Sequence, residues 1–394
     1  LPLSHTLSDT SITTSATLRG VGSLSVLLKE SWSFVERPDR LAENFYARMF
    51  LADPALRDLF PITMDVQRSR LLQAIVHAVQ TVDDPEAFGA YLGALGRDHR
   101  KFHVLPEQYI TVGRCLIAAL REACSTQWTI AHEQAWQDAY AAISVKMITA
   151  AAADRDNPPY WHAEVVKHER RTPDIAVLTV RPLQPYPYRA GQYVSVECQY
   201  HPRLWRVFSI ANAPRADGLM QFHVRAVGAG FVSSALVWKA KPGDMLRLGA
   251  PIGTMSLDRT STRDVVCVAG GTGLAPLKSL IEELATFNRT RWVHLFFGVR
   301  SRADLYDLGA LNQLAGRHSW LSVVPSLSED PGAPGCEQGT AAEVVARRGP
   351  WQEHDFFVSG SPAMVRSTLS TLSVLGIPRQ RIRYDTLTST VTGA

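Results

Sequence analysis

Between about Ser23 and Ala153, apolar residues recur every three or four positions. "LAENFYARMF" (41–50), "SRLLQAIVHAVQ" (69–80), "ITVGRCLIAALREA" (110–123) and "EQAWQDAYAAISVKMITAAAA" (133–153) all follow this spacing. It places the apolar side chains on one stripe and predicts amphipathic helices. Prolines at 38, 54, 61, 85 and 106 fall between these segments or at their starts, where a missing N–H is tolerated. The pattern stops at "ADRDNPPYW" (153–161), whose two prolines and polar residues mark a linker or domain edge.

From about Trp161 to Leu257 the period falls to two. "IAVLTV", "GQYVSV" and "MQFHVRAV" alternate inward and outward residues, with Gly and Pro turns between them. Short strands at this spacing predict a small antiparallel barrel. From about Thr262 the strands become continuous apolar runs, each leading into a helical stretch. "DVVCVAGG" precedes "LAPLKSLIEELATF", "RWVHLFFGVR" precedes "LGALNQLAG", and "HDFFVSGS" precedes "PAMVRSTLSTLSVLG". This alternation predicts a parallel sheet with helices on both faces. The expectation is a multidomain chain: a loose extension over 1–22, an all-α domain over 23–153, an antiparallel β-barrel domain over 154–258 and an α/β parallel-sheet domain over 259–394.

Composition narrows the function classes. A formal net charge of +4, with scattered basic residues, argues against nucleic acid as a partner. The five cysteines are odd in number and none share C-x-x-C spacing, which argues against a disulfide framework, a zinc site or a plant-type iron–sulfur cluster. A reducing cytoplasm fits best. The longest apolar run, "AYAAISVKMITAAAA" (139–153), carries Lys146 and is shorter than a transmembrane span requires. No transmembrane segment is expected.

Candidate chemistry begins at "VAGGTGLAP" (268–276), where a buried strand ends in glycines and a helix starts at once. Glycine lets backbone approach a pyrophosphate, and the helix start offers free N–H groups. A tight turn with no ligand would have the same composition. "RVFSIANAP" (206–214) puts a cation, a ring and a hydroxyl on one strand, and "GAGFVSSAL" (228–236) sets glycine before two serines at a helix start. Together they could hold a flavin and its diphosphate; singly they read as a strand and a cap.

The order barrel, R-x-F-S, G-x-V-S-S, GGTGLAP and "VSGSP" (358–362) resembles the ferredoxin–NADP reductase-like superfamily over about 230 residues. The resemblance implies FAD in the barrel domain and NADH or NADPH in the α/β domain. Arg206 would pair with the flavin diphosphate, and Ser209 would lie near the reactive ring nitrogen. Gly230, Val232 and Ser233 would hold the diphosphate. Gly271, Thr272 and Gly273 would face the nicotinamide nucleotide. The chain departs from the pattern at Phe208, where tyrosine is usual, at Ser359-Gly360, where Cys-Gly is common, and at Tyr384-Asp385-Thr386-Leu387, which replaces a terminal Y-E-x-F. Leu387 thus stands where an aromatic shield over the flavin is expected. Arg300 and Arg302 in "GVRSRADLY" are either grips for a 2′-phosphate or solvated loop charges.

"FYARMF" (45–50), "ALRDLF" (55–60) and "DHRKFHVLPEQY" (98–109), followed by such a reductase, resemble bacterial flavohemoglobins across nearly the whole chain after the extension. That implies an all-α globin domain with heme b. The iron ligand would be His99, while His103 and His77 keep an ordinary structural reading. Tyr46 would donate a hydrogen bond to dioxygen, Phe60 would wedge against the porphyrin, and Gln67 and Leu71 would line the distal side. Tyr109 matches a proximal tyrosine. Ala151 falls where the family has a glutamate, and Asp98 where it has a lysine. The implied activity is an NAD(P)H-dependent nitric oxide dioxygenase that turns NO and O2 into nitrate. The alternatives are a divergent oxidoreductase with another donor, such as D-lactate, and a heme-based redox or gas sensor with little turnover. The resemblance leaves room for a lipid in the heme pocket, and a monomer is expected.

Overall fold

The computed structural model describes residues 24–384, apart from Ala229 and Pro331. The expected extension over 1–22 and Leu387 lie outside the described residues. The chain forms two compact units, one ending at Pro159 and one beginning at Tyr160.

The first unit is helical. Its elements are α1 (24–33), α2 (Pro38–Ala52), α3 (Asp65–Thr81), α4 (Pro85–His99), α5 (Gln108–Cys124) and α6 (Ile130–Ala153). The predicted apolar stripes meet in one core, where Leu41, Phe45 and Met49 of α2 pack with Ile75, Val79, Leu116, Leu120 and Trp136. Asp84 caps α4 by accepting from the Ala87 N–H at 3.0 Å, with Pro85 in the first turn. α4 crosses α6 so closely that a Cβ on Gly96 would lie 2.3 Å from the Met147 carbonyl oxygen. Only glycine permits that approach, and the crossing sets where the C-terminal end of α4 lies.

The second unit begins with a six-stranded antiparallel sheet in the order β4-β3-β6-β1-β2-β5. The strands are β1 (Trp161–Arg170), β2 (Ile175–Pro182), β3 (Tyr193–Cys198), β4 (Arg206–Ser209), β5 (Met220–Arg225) and β6 (Met245–Leu248), with α7 (Phe231–Trp238) between the last two. A bridge from Ile210 to Phe222 brings the end of β4 to β5 and nearly closes the barrel. The parallel sheet follows, in the order β10-β9-β8-β7-β11-β12. Its strands are β7 (Asp264–Gly270), β8 (Val293–Val299), β9 (Leu321–Leu327), β10 (Glu337–Gln338), β11 (His354–Ser359) and β12 (Ile382–Tyr384). α8 (Leu274–Phe287) and α9 (Leu308–Arg317) cover one face; α10 (Ala341–Arg348) and α11 (Pro362–Val374) cover the other.

Barrel and α/β layer share a core. Ile175, Val177, Ala190 and Ala213 pack with Leu277, Leu280 and Leu284 of α8. Polar pairs cross the same seam: His223 Nδ1 lies 2.8 Å from the Tyr306 hydroxyl, and Ser279 donates to the Asn212 carbonyl at 2.8 Å. Lys278 and Asp307 form a buried pair at 2.7 Å beside them.

Burial lowers the pKa of His223, His294 and His354 below the ordinary histidine value of about 6.5; the cations Lys278 and Arg171 add to the effect at His223, and each of the other two also sits among charged neighbours. The unfolded chain therefore takes up protons first as pH falls. Stability from these groups is complete above about pH 6.5 and declines as pH drops towards the folded-state values. We expect the chemical-denaturation midpoint of the second unit's transition, followed by flavin release, to hold steady above pH 7 and to fall between about pH 6.5 and 5.

Candidate functional site

The last residue of α4 is His99. Its Nδ1 lies 2.8 Å from the Leu95 carbonyl oxygen, one turn back. A carbonyl can only accept, so Nδ1 carries the proton and Nε2 keeps its lone pair. The Phe102 ring stands edge-on to the imidazole at 6.0 Å. Burial lowers the His99 pKa and favours the neutral ring. His103 instead lies beyond the helix with φ +56°, after a 3-10 turn over Arg100–Phe102. The two histidines thus occupy different settings.

The other expected residues gather from α2 and α3. Tyr46 is buried, and its hydroxyl donates to the Gln67 carbonyl at 3.1 Å. Burial raises its pKa, so the hydroxyl keeps its proton and remains a donor. The rings of Phe60 and Phe50 stand 5.5 Å and 6.0 Å from that of Tyr46. Leu71 is half-buried against the same core. Gln67 Oε1 is buried and has no hydrogen-bond partner among the described residues. Such an atom is costly unless a further group reaches it. An imidazole that keeps the lone pair on Nε2 can ligate a heme iron, and the half-buried apolar side chains around Tyr46 suit contact with a porphyrin. Among the described residues no group of three or more His, Cys, Asp or Glu could hold a metal ion unaided.

One residue here escaped the sequence reading. Arg70 lies three positions after Gln67, on the same side of α3 as Leu71, and is half-buried. Burial lowers its pKa, while Asp98 and Tyr46 interact with it favourably. Its charge is felt by both Tyr46 and Asp98, the residue before His99. Its only sequence signal is a charge among apolar neighbours, which resembles a solvated helix position.

Among the described residues no carboxylate accepts a hydrogen bond from the His99 imidazole. Asp98 pairs with Lys101, and Arg100 pairs with Asp154. Met147 and Ala150 of α6 face Gly96 and Gly93 of α4, and just beyond the two helices Asp154 pairs with Arg100. Ala151 shares that helical face and is half-buried, so a methyl stands where a longer acidic side chain would point at α4. Tyr109 is half-buried and its carbonyl accepts from the Tyr140 hydroxyl at 2.9 Å.

In the second unit, Arg206 and Ser209 bound β4, and Phe208 packs against the barrel core. Arg206 Nη1 donates to the Trp205 carbonyl at 3.0 Å. Gly230 is the N-cap of α7, and a Cβ there would fall 2.5 Å from Ser233 Oγ. Val232 is buried, and the Ser233 hydroxyl donates to the Gly230 carbonyl at 3.1 Å. Both side chains are occupied, so this turn can offer a diphosphate only its backbone N–H groups.

β7 ends at Gly270, a 3-10 turn covers Gly271–Gly273, and α8 follows directly. Gly271 has φ +53°, and a Cβ on Gly273 would lie 2.4 Å from the Ser359 carbonyl oxygen. Thr272 sits half-buried between them. The fold thus joins the glycine turn to the "VSGSP" segment, almost ninety residues later in the chain. Arg300 is exposed, while the Arg302 guanidinium donates to the Pro334 carbonyl at 2.9 Å. No described helix is long and apolar enough to cross a membrane.

This arrangement defines a globin fused to a flavin- and nicotinamide-dependent reductase. The Globin family matches residues 43–147, the Oxidoreductase FAD-binding domain residues 162–257, and the Oxidoreductase NAD-binding domain residues 267–369. The chain is 32% identical over 305 residues to the flavohemoprotein of Bordetella pertussis, covering 72% of this chain and 75% of that protein. It is 34% identical over 221 residues to the ferredoxin–NAD(P)+ reductase component of the naphthalene 1,2-dioxygenase/salicylate 5-hydroxylase systems of Ralstonia sp, of which it spans 66%. The solved flavohemoglobin of Malassezia yamatoensis, with bound FAD and heme, shares the fold at TM-score 0.77, covering 92% of this chain and 98% of that one at 20% identity. The chain belongs to the flavohemoprotein family. Heme, FAD and a nicotinamide nucleotide are the cofactors of its three domains.

His99→Ala should abolish the heme Soret band of the purified protein, with the flavin bands retained. His103→Ala should leave both unchanged, and an absorption spectrum of each variant decides the matter.

Proposed function

We propose that this flavohemoprotein is an NAD(P)H-dependent nitric oxide dioxygenase. When bound, the nicotinamide supplies hydride, FAD splits it into single electrons, and heme supplies the iron that takes gases. Making nitrate from one NO and one O2 consumes one electron, so each hydride serves two turnovers. His99 would hold the iron through Nε2. Tyr46 keeps a protonated hydroxyl on the distal side, next to Gln67, and excludes bulk water with Phe60 and Leu71. Arg206 and the N–H groups after Gly230 would hold the flavin diphosphate. Gly271, Thr272 and Gly273 would receive the nucleotide. The observation that carries this reading is the His99 imidazole, whose Nδ1 is committed to a main-chain carbonyl so that Nε2 keeps its lone pair; the buried Tyr46 hydroxyl beside Gln67 supports it.

Nitric oxide removal by the purified protein, followed at an NO electrode, tests it with NADH, NADPH and D-lactate in turn. Rapid removal with a nicotinamide nucleotide is expected. Tyr46→Phe should slow it about tenfold, the loss of roughly one hydrogen bond to a polar partner.

A second reading has its own support. The partner of His99 Nδ1 is a backbone carbonyl, a weaker acceptor than a carboxylate, so the imidazole is a poorer electron donor. That favours a gas or redox sensor, which takes up oxygen reversibly and leaves NO untouched. Ala151→Glu places a carboxylate on the α6 face that meets α4. It should lower the heme midpoint potential and raise the iron–histidine stretching frequency; unchanged values would show that the carboxylate does not reach Nδ1.

A further inference from the structure

A cleft of about 310 Å³ opens on the seam between the barrel and the α/β layer. One wall comes from β1, β2 and β5 of the barrel, the other from α8 and α9. None of the candidate flavin or nucleotide residues lines it. Gln221, in the cleft, lies four residues before Arg225 on the same face of β5, and a Cβ on Gly271 would lie 3.5 Å from Arg225 Nη1. The cleft is therefore roughly 13 Å along that strand from the glycine turn.

The charges lining the cleft do not balance. Lys278 and Asp307, both buried, neutralise each other at 2.7 Å, and Arg215 does the same with Glu282 at 3.2 Å. At the exposed rim Glu169 answers two cations at once, Lys167 at 3.0 Å and Arg171 at 3.4 Å. Arg317, the last residue of α9, is exposed and has no hydrogen-bond or ion-pair partner among the described residues. Lys167, Arg171 and Arg317 thus share a single carboxylate, which leaves a surplus of two positive charges. Any one of them alone reads as a solvated surface charge. Their convergence on one cleft, from β1, from the turn after it and from α9, does not.

Volume and lining select the kind of anion. A water molecule takes about 30 Å³, so the cleft has room for roughly ten such volumes. A bare oxyanion fills only a small part of it. Val177, Ala310 and Leu314 place apolar surface between the charges, which suits a carbon skeleton. The planar forks of Arg171 and Arg317 match a carboxylate or a phosphate end. Besides burial, Lys278 and Arg171 both lower the pKa of His223, so the field of the cleft's cations reaches into the seam.

We propose that the seam cleft binds a small organic dianion, a dicarboxylate or a phosphate monoester, between Lys167 and Arg171 of the barrel and Arg317 of the α/β layer. Each layer supplies part of the counter-charge, so the ligand ties one to the other and stabilises the second unit by mass action. Glu169 is the internal anion that competes with it. The site is independent of the gas chemistry of the helical unit, and it stands whether or not nitric oxide is the substrate.

Succinate and glycerol 2-phosphate are the probes, with acetate and inorganic phosphate beside them. Each is titrated by calorimetry into the full-length, FAD-loaded chain at constant ionic strength, because salt screens exposed charges. At least one of the two probes should bind, and which one does so tells carboxylate from phosphate. No binding of either up to about 10 mM, a weak limit for a specific small ligand, overturns the proposal. Acetate or inorganic phosphate binding as tightly as the organic dianion overturns the assignment of ligand class. Arg317→Gln removes a side chain with no partner in the fold, and it should weaken binding about tenfold, the usual loss for a hydrogen bond to a charged group. Wild-type affinity in that variant, at full flavin content, overturns the site. Glu169→Gln frees Lys167 and Arg171 and should tighten binding several-fold; unchanged or weaker binding overturns the charge argument on which the site rests.

Discussion

The bond from His99 Nδ1 to the Leu95 carbonyl governs the chemistry of the helical unit. It assigns the proton to one ring nitrogen and leaves the other as a lone pair. It also locks the ring plane at the end of α4, because the acceptor is main chain and cannot rotate away. Three residues before His99, α4 leans on the Met147 backbone at Gly96, where any Cβ would clash. Asp98, the nearest carboxylate in sequence, is held by Lys101 and does not compete for Nδ1. If His99 holds the heme iron as proposed, the strength of that bond would be set by helix geometry rather than by a titratable partner.

The reductase unit follows a different logic. Its barrel and its α/β layer are separate in topology but not in packing, since Val177 and Ala213 share a core with Leu277 and Leu280. Buried polar pairs at the same seam, such as Ser279 to the Asn212 carbonyl, hold orientation as well as adhesion. A hydride donor and its acceptor need fixed mutual placement, and a seam of this kind supplies it without a mobile hinge.

Periodicity made most of this architecture legible. α2, α3, α5 and α6 announce themselves by apolar spacing, and β7, β8 and β11 by unbroken apolar runs. α4 is harder to read, because Gly89, Gly93 and Gly96 weaken its helical signal. Those at 93 and 96 face α6, where close approach outweighs propensity. The short edge strands β10 and β12 are too brief to show a period. In the site, motif order pointed to His99, Tyr46 and the glycine turn. The tether of His99 was hidden, because a backbone acceptor has no side chain to read. Arg70 was hidden for another reason: a single arginine looks the same in sequence whether it is solvated or half-buried among charged neighbours.

The Tyr46 hydroxyl is already engaged with the Gln67 carbonyl. Under the proposed role of Tyr46, a gas bound beside it would have to outbid a main-chain acceptor before it gained that hydrogen bond. Carbon monoxide, which draws little electron density, would leave the hydroxyl where it is; a strongly polarised diatomic would recruit it. Such a pocket would sort gases of nearly equal size by how much negative charge they gather.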